Sequence, residues 1–224
     1  KEVSEEEETE RLKKALQLVR HEQPDAIVSV DTYRPAVARR CIEEWGADII
    51  NDVSEGGITG IVNTPIHESD SMFDVVGELK VPYILMSVKS CLHDMMIAFA
   101  EEVQQLRDRG VKDIILDPGF GFGKTLAQNY EIYNGMEQLA TLRLPLLVGV
   151  SRKSMIFKLI GGDSMTALNG TTVLHTAALL KGAGILRVHD VREAVEAVQI
   201  VSAIQSASPF EKPETAVQNS SFHI

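Results

Sequence analysis

The chain has 224 residues, 44% of them hydrophobic, and a formal net charge of −10, which is apolar content for one large domain or two small ones. So acidic a balance argues against a nucleic-acid partner, which asks for a basic face, and no apolar run nears the ~18 residues that would suggest a membrane span. Cys41 and Cys91 lie far apart with no metal-ligand spacing; with no secretory leader visible, the expectation is a reducing compartment, the cytoplasm.

The predicted elements alternate. Ser4 to about Arg20 reads as a helix, with Ser4 and Glu7 as a capping box, Leu12, Ala15, Leu16 and Val19 on one face, and glutamates in the first turn. A strand at 26–30 ends on Asp31. Arg34-Pro35 opens a helix that Gly46 closes. A strand at 48–50 ends on Asn51-Asp52, and a loop follows to about Asp70, with Gly56-Gly57 and Pro65 in it. A helix near 71–79, a strand at 82–86 and a helix near 92–109, stopped by Gly110, come next. Then follow a strand at 113–116 and a helix from Leu126 with Thr125 and Gln128 as its capping box. A strand at 146–150 leads into Ser151-Arg152-Lys153-Ser154, a short helix, and a long apolar helix near 166–181. The last strand, 184–188, precedes a helix capped by Asp190 and Glu193 and running to about 205. The tail 206–224 is polar with two prolines and reads as irregular, so the domain is set at 1–205.

One stretch carries the most information: Leu116-Asp117-Pro118-Gly119-Phe120-Gly121-Phe122-Gly123-Lys124-Thr125. It is a buried strand ending in an acid, then a tight glycine loop, then a helix. It is not a phosphate-cradling P-loop, because Pro118 stands where the first glycine should be. The G-x-G-x-G spacing also misses the dinucleotide pattern.

The six visible strands are short and apolar, which implies a parallel α/β fold covered on both faces. Nearly every strand ends on a polar group: Asp31, Asn51, Met86-Ser87, Asp117, Ser151-Arg152-Lys153, Arg187-x-His189. In a TIM (β/α)8 barrel such ends meet at one mouth, so the expected fold is that barrel with its first two strands upstream of Lys1. The alternative is a six-stranded doubly wound sheet. Asp31, Asn51 and Asp117 suit the N–H edge of a flat heterocycle. Lys124, Arg152, Lys153, Arg187 and His189 form a basic cluster in an acidic chain, which implies a phosphate or diphosphate. His175 reads as a packing histidine, Met95-Met96 as core and Trp45 as packing; His67 and His93 lack ligand spacing.

Together the motifs Ser29-Val30-Asp31-Thr32, Ile49-Ile50-Asn51-Asp52-Val53-Ser54, Asp117 to Thr125, Gly149-Val150-Ser151-Arg152-Lys153-Ser154, Asn169-Gly170-Thr171-Thr172 and Arg187-Val188-His189-Asp190 resemble the dihydropteroate synthase family over about residues 1–205. The resemblance implies a transferase of folate biosynthesis and a sulfonamide target. It condenses 6-hydroxymethyl-7,8-dihydropterin diphosphate with 4-aminobenzoate, assisted by Mg2+, and tends to pair as a homodimer. It further implies pterin contacts from Asp31, Asn51, Met86, Asp117, Gly149 and Lys153, and aminobenzoate contacts from Phe122 and Ser154. Arg187 and His189 would hold the diphosphate, and Lys153, Arg187, His189 and Asp117 would carry catalysis. Two family loops, Asn-x-Thr-x-Asp-Ser-Phe and Ser-Thr-Arg-Pro, are absent from the sequence, so the metal-binding Asn is expected upstream of it. Ser87-Val88-Lys89-Ser90 replaces the usual His-Met-x-Gly, ahead of a shortened loop. The competing readings are a pterin-binding methyltransferase barrel and a non-catalytic pterin-binding homologue.

Overall fold

The computed structural model describes residues 3–55 and 71–207. Among them six strands, β1 (Ser29–Asp31), β2 (Ile49–Asp52), β3 (Tyr83–Met86), β4 (Ile114–Asp117), β5 (Leu147–Val148) and β6 (Ile185–Leu186), alternate with eight α-helices. The helices are α1 (Glu5–Glu22), α2 (Pro35–Glu43), α3 (Met72–Leu79), α4 (Leu92–Asp108), α5 (Leu126–Gly135), α6 (Ser154–Ile160), α7 (Leu168–Leu180) and α8 (Val191–Ser206). Every strand pairs parallel with its sequence neighbour, in the order β1-β2-β3-β4 and then β5-β6. A Leu116–Leu146 bridge and the Leu116 N–H to Pro145 carbonyl bond, 2.9 Å, join the two sheets.

That order decides between the two expected folds. A doubly wound sheet reverses its strand order at a switch point; this one never reverses. The wall curls far enough for the Arg187 side chain, just after β6, to ion-pair with Asp31 at the end of β1. A cavity of about 370 Å³ inside the curve is lined from all six strands. This is the wall of a TIM barrel, although among the described residues β6 and β1 share no backbone pairing.

Local signals set most boundaries. Thr125 and Gln128 close a full capping box at the start of α5, at 3.3 and 2.8 Å. At α1 only half a box forms: the Ser4 hydroxyl accepts from the Glu7 N–H, while the Glu7 carboxylate turns to Arg11. Asp190 stands at the N-cap of α8 without capping it, because Arg152 occupies its carboxylate. β1 begins at Ser29 rather than 26. β5 and β6 are only two residues long, and a 3-10 helix, Met136–Leu142, follows α5 unforeseen. The expected loop residues Gly56-Gly57, Pro65 and His67, and the tail beyond 207, lie outside the described residues.

The main core packs Tyr83, Leu85, Leu116, Phe99, Phe120, Ile132 and Val148 between wall and helices. A smaller cluster under α1 and α2 holds Leu16, Val30, Val37, Cys41 and Trp45. His175 and Met95 are buried, as expected of packing residues.

Candidate active site

Side chains along a strand alternate faces. The interior cavity is lined by Ser29 and Asp31, Ile49 and Asn51, Ile84, Ile115 and Leu147 at every second position, and by Ile185, Leu186 and Arg187 at the end of β6. Steps of two carry the same inward face to Met86, Asp117 and Gly149. Six strand ends therefore deliver Asp31, Asn51, Met86, Asp117, Gly149 and Arg187 to one rim, the arrangement expected of a barrel mouth.

The acid side is prearranged. Asp117 is buried, and its Oδ1 accepts the Gly119 N–H at 2.8 Å. Burial pushes the Asp117 carboxyl above its ordinary range; the Gly119 N–H, Lys153, Arg187 and Lys124 oppose that shift. Asn51 donates its amide N–H to Asp31, while its Oδ1 is buried without a hydrogen-bond partner among the described residues. Gly119 must be glycine here: at φ +65° a Cβ would stand 2.2 Å from the Ser87 carbonyl oxygen. The close approach at this glycine is to the protein's own backbone.

On the cation side, a cavity of about 340 Å³ is lined by Asp117, Gly149, Ser151, Lys153, Arg187 and His189, with Val188 between the last two. The Lys153 ammonium donates to the Phe120 carbonyl and lies 4.7 Å from the centre of the Phe122 ring. Burial lowers the Lys153 pKa, and Asp117 pulls it back up. Ser151 Oγ accepts the His189 N–H at 3.2 Å and meets Nδ1 of the same ring at 2.9 Å. Arg187 lines this cavity, the interior one and a third of about 630 Å³ that also holds Glu8, Asp31, Tyr33, Arg34 and Phe122.

Two cations expected at the mouth are not free to act there. The Lys124 ammonium donates to the carbonyls of Ser87, Gly119 and Phe122 at 3.0, 2.9 and 3.4 Å, and burial depresses its pKa to about 8. It ties the glycine loop to the end of β3. Arg152 is turned to Asp190 and to the carbonyls of Ser164 and Met165. Met86 keeps the inward parity but is fully buried, its Cγ 3.0 Å from where a Gly119 Cβ would be. Ser154, at the head of α6, lines none of the three cavities.

Sequence reasoning passed over Asn129. It is buried in α5, accepts the Gly121 N–H at 2.7 Å and donates to the carbonyls of Lys124 and Thr125 at 3.2 and 2.7 Å. The signal was an amide one turn past a capping box, a residue type disfavoured within helices unless it has local work to do. Glu55, fully buried, accepts from Ser87 Oγ and the Val88 N–H at 3.1 and 2.6 Å and faces Lys89 at 3.4 Å. Nearby, burial and the Glu55 charge push Glu102 up to about 8.

A barrel wall with its polar groups at the strand C-terminal rim has the architecture of an enzyme, and the model of the pterin binding enzyme family matches residues 1–189. The chain is 34% identical over 221 residues to the dihydropteroate synthase of Escherichia coli strain K12, covering 92% of this chain and 74% of that protein. It is 36% identical over 211 residues to the dihydropteroate synthase of Clostridium beijerinckii, covering 90% and 74%. Among solved structures, the Yersinia pestis DHPS with a pterine-sulfa conjugate superposes with a TM-score of 0.82 at 33% identity, covering 92% of this chain and 79% of that one. A Coxiella burnetii dihydropteroate synthase in complex with pteroic acid gives 0.80 at 29%, covering 92% and 76%. The chain thus belongs to the pterin-binding enzyme family and, within it, to the dihydropteroate synthases, the transferases of folate biosynthesis.

Proposed function

We propose that the mouth condenses 6-hydroxymethyl-7,8-dihydropterin diphosphate with 4-aminobenzoate, releasing 7,8-dihydropteroate and diphosphate. The observation that supports this reading is the buried Asn51 Oδ1, unpartnered among the described residues, in a cavity it shares with Asp31 and Arg187; Arg187 in turn lines the neighbouring cavity with Asp117, Lys153 and His189. A buried acceptor without a donor is costly until a ligand N–H fills it. Asp31, Asn51 and Asp117 would take the pterin N–H edge, with Gly149 leaving room beside them and Met86 as the apolar floor. Lys153 would reach the pterin carbonyl. Phe122, already held by Lys153, would stack on aminobenzoate, with the Ser154 hydroxyl at its carboxylate.

As diphosphate leaves, the pterin methylene becomes cationic and the electron-rich ring delocalises that charge. What the protein must stabilise is the departing anion. Arg187 and His189, which line the cation-side cavity, would supply that charge. The Arg187–Asp31 pair is about half exposed on both sides, and such pairs contribute little. Arg187 can therefore exchange Asp31 for diphosphate oxygens at small cost. The attacking aniline is already unprotonated at neutral pH, so positioning suffices and no strong base is required. Among the described residues no group of three or more His, Cys, Asp or Glu side chains could hold a metal ion. The Mg2+ that the reading includes would offset the charge of the departing diphosphate, its Asn ligand being expected outside the described residues, and no step here is routed through it.

A second copy of the chain would cover the apolar residues left exposed on α7 and α8, among them Val173, Leu180, Val195, Ile200 and Ile204. The free thiols Cys41 and Cys91 suit the cytoplasm, and no helix among the described residues is long and apolar enough to cross a membrane. The cation side is what a methyl-transferring barrel would not need.

The test is diphosphate release from the two substrates, paired with calorimetry of the pterin. Asp117→Asn turns an acceptor into a donor facing N–H groups, so pterin affinity should fall. Lys153→Ala and Arg187→Ala should each lower turnover about tenfold or more. Pterin binding without release would favour the non-catalytic homologue, and unchanged affinity in Asp117→Asn would remove the pterin assignment.

A further inference from the structure

Arg152 stands in the middle of a run that otherwise serves the mouth, yet its side chain points elsewhere. Its guanidinium grips Asp190 through two bonds, Nε to Oδ2 at 2.9 Å and Nη2 to Oδ1 at 2.7 Å. The remaining Nη1 donates to the carbonyls of Ser164 and Met165, both at 2.9 Å. Its backbone is left-handed, φ +53°, and its N–H donates to Thr171 Oγ1 at 2.9 Å. One residue thus ties four segments together: the loop after β5, the 163–166 turn, α7 and the loop after β6. The pair is about four-fifths buried on both sides, and it holds the Asp190 carboxyl below its ordinary range.

The neighbours in sequence give this clamp its meaning. Lys153 follows Arg152, and His189 precedes Asp190. Both lie, with Arg187, in the loops after β5 and β6 and line the cation-side cavity. Between those strands the ladder is short, with only Leu147–Ile185 and Val148–Leu186 in register. Backbone pairing therefore stops before it reaches either side chain. Ser151 Oγ, bonded to the N–H and Nδ1 of His189, is the second tie across the same gap.

We infer that Arg152 and Asp190 are positioning residues. Their forked ion pair sets the distance between the Lys153 ammonium and the His189 imidazole, and so matches the mouth to the span between a pterin ring and its diphosphate. The inference rests on the functional reading above, in which Lys153 serves the pterin and His189 the diphosphate. A planar fork with two parallel bonds fixes orientation as well as distance, which an ammonium cannot reproduce. A misplacement on the order of 1 Å at reacting groups can cost about a hundredfold in rate.

The experiment is steady-state kinetics on full-length Arg152→Lys, Asp190→Asn and the double variant, with Lys153→Ala and His189→Ala alongside and thermal melts on all five. Arg152→Lys should lower kcat/KM for the pterin diphosphate about tenfold or more, with a folded melting transition retained. KM for 4-aminobenzoate should stay near the parent value. The double variant should be no worse than the poorer single, because both remove one interaction. Should Arg152→Lys fail to fold, Asp190→Asn, which keeps the shape and one acceptor, carries the same comparison. Parent-like kcat/KM in folded single variants would overturn the clamp, as would additive losses or equal losses toward both substrates. If Lys153→Ala and His189→Ala are themselves at parent activity, the functional reading fails instead, and the two failures are told apart.

Discussion

The two halves of the barrel wall are held by different physics. From β1 to β4, strands of three or four residues pair in continuous parallel register over a dense apolar layer. Backbone hydrogen bonds run to the strand ends, and Asp31, Asn51 and Asp117 are placed by the ladder itself. β5 and β6 share two register pairs. There the last stretch to Lys153 and His189 is spanned by side chains: Arg152 with Asp190, and Ser151 with His189. The acid side of the mouth is thus a property of the sheet, and the cation side a property of a few ion pairs and hydrogen bonds. A ladder fails through its core packing. A clamp fails when one polar group is changed, even though the core is untouched.

The comparison can be broken most sharply in the ladder half. Leu85→Ala empties a fully buried position in the middle of β3 and should cost about 2–5 kcal/mol by urea denaturation. The molecules that remain folded should keep a parent-like KM, in contrast to Arg152→Lys, whose folded molecules should lose catalysis. A KM shift in Leu85→Ala as large as that in the clamp variants would erase the distinction.

A smaller effect, dependent on pH, is expected where the ladder half buries its own acids. Burial first, and the Glu55 charge second, raise Glu102 from 4.5 to about 8, with Lys89 opposing and Glu101 and Asp52 adding to the shift. A raised carboxyl binds its proton more tightly folded than unfolded. Its contribution to stability is therefore full below about pH 4.5, declines as pH rises, and is lost above about 8. Glu102→Gln should flatten that slope and stabilise the protein at pH 8 relative to the parent, on the order of 2 kcal/mol after allowing for relaxation around the buried group. Denaturation series at pH 5 and pH 8 would check it; parallel slopes in the two proteins would count against a protonated Glu102.

The smallest change tests the seam between the halves. Thr125→Ala opens the capping box at the start of α5, beside the Lys124 ties that hold the glycine loop to β3. A loss of about 1 kcal/mol is expected, with pterin affinity preserved, because the Lys124 bonds do not depend on the cap. Calorimetry after a melt would show whether affinity moves with stability.

How much of this was legible beforehand varied with the kind of residue. The strand-end residues could be read because an apolar run ending in a polar group is a local pattern, and the two-residue period of a strand decides which side chains share a face. The capping box at Thr125 and Gln128 was local in the same way. Lys124 and Arg152 were misassigned as mouth cations for the opposite reason: their charge is visible, but their partners are distant. Asp190 stands 38 residues from Arg152 and Ser87 stands 37 from Lys124. Nothing local says that a cation between two site residues will turn away from the site.

The order of elements along the chain, the polar strand ends Asp31, Asn51 and Asp117 and the family motifs were determined by the sequence alone, because each depends on neighbours a few residues apart. The tertiary structure decided which charges are free to meet a substrate and which are consumed in holding loops together. It could do so because a buried cation takes the acceptors that folding brings within about 3 Å of it, and chain order does not record which those will be.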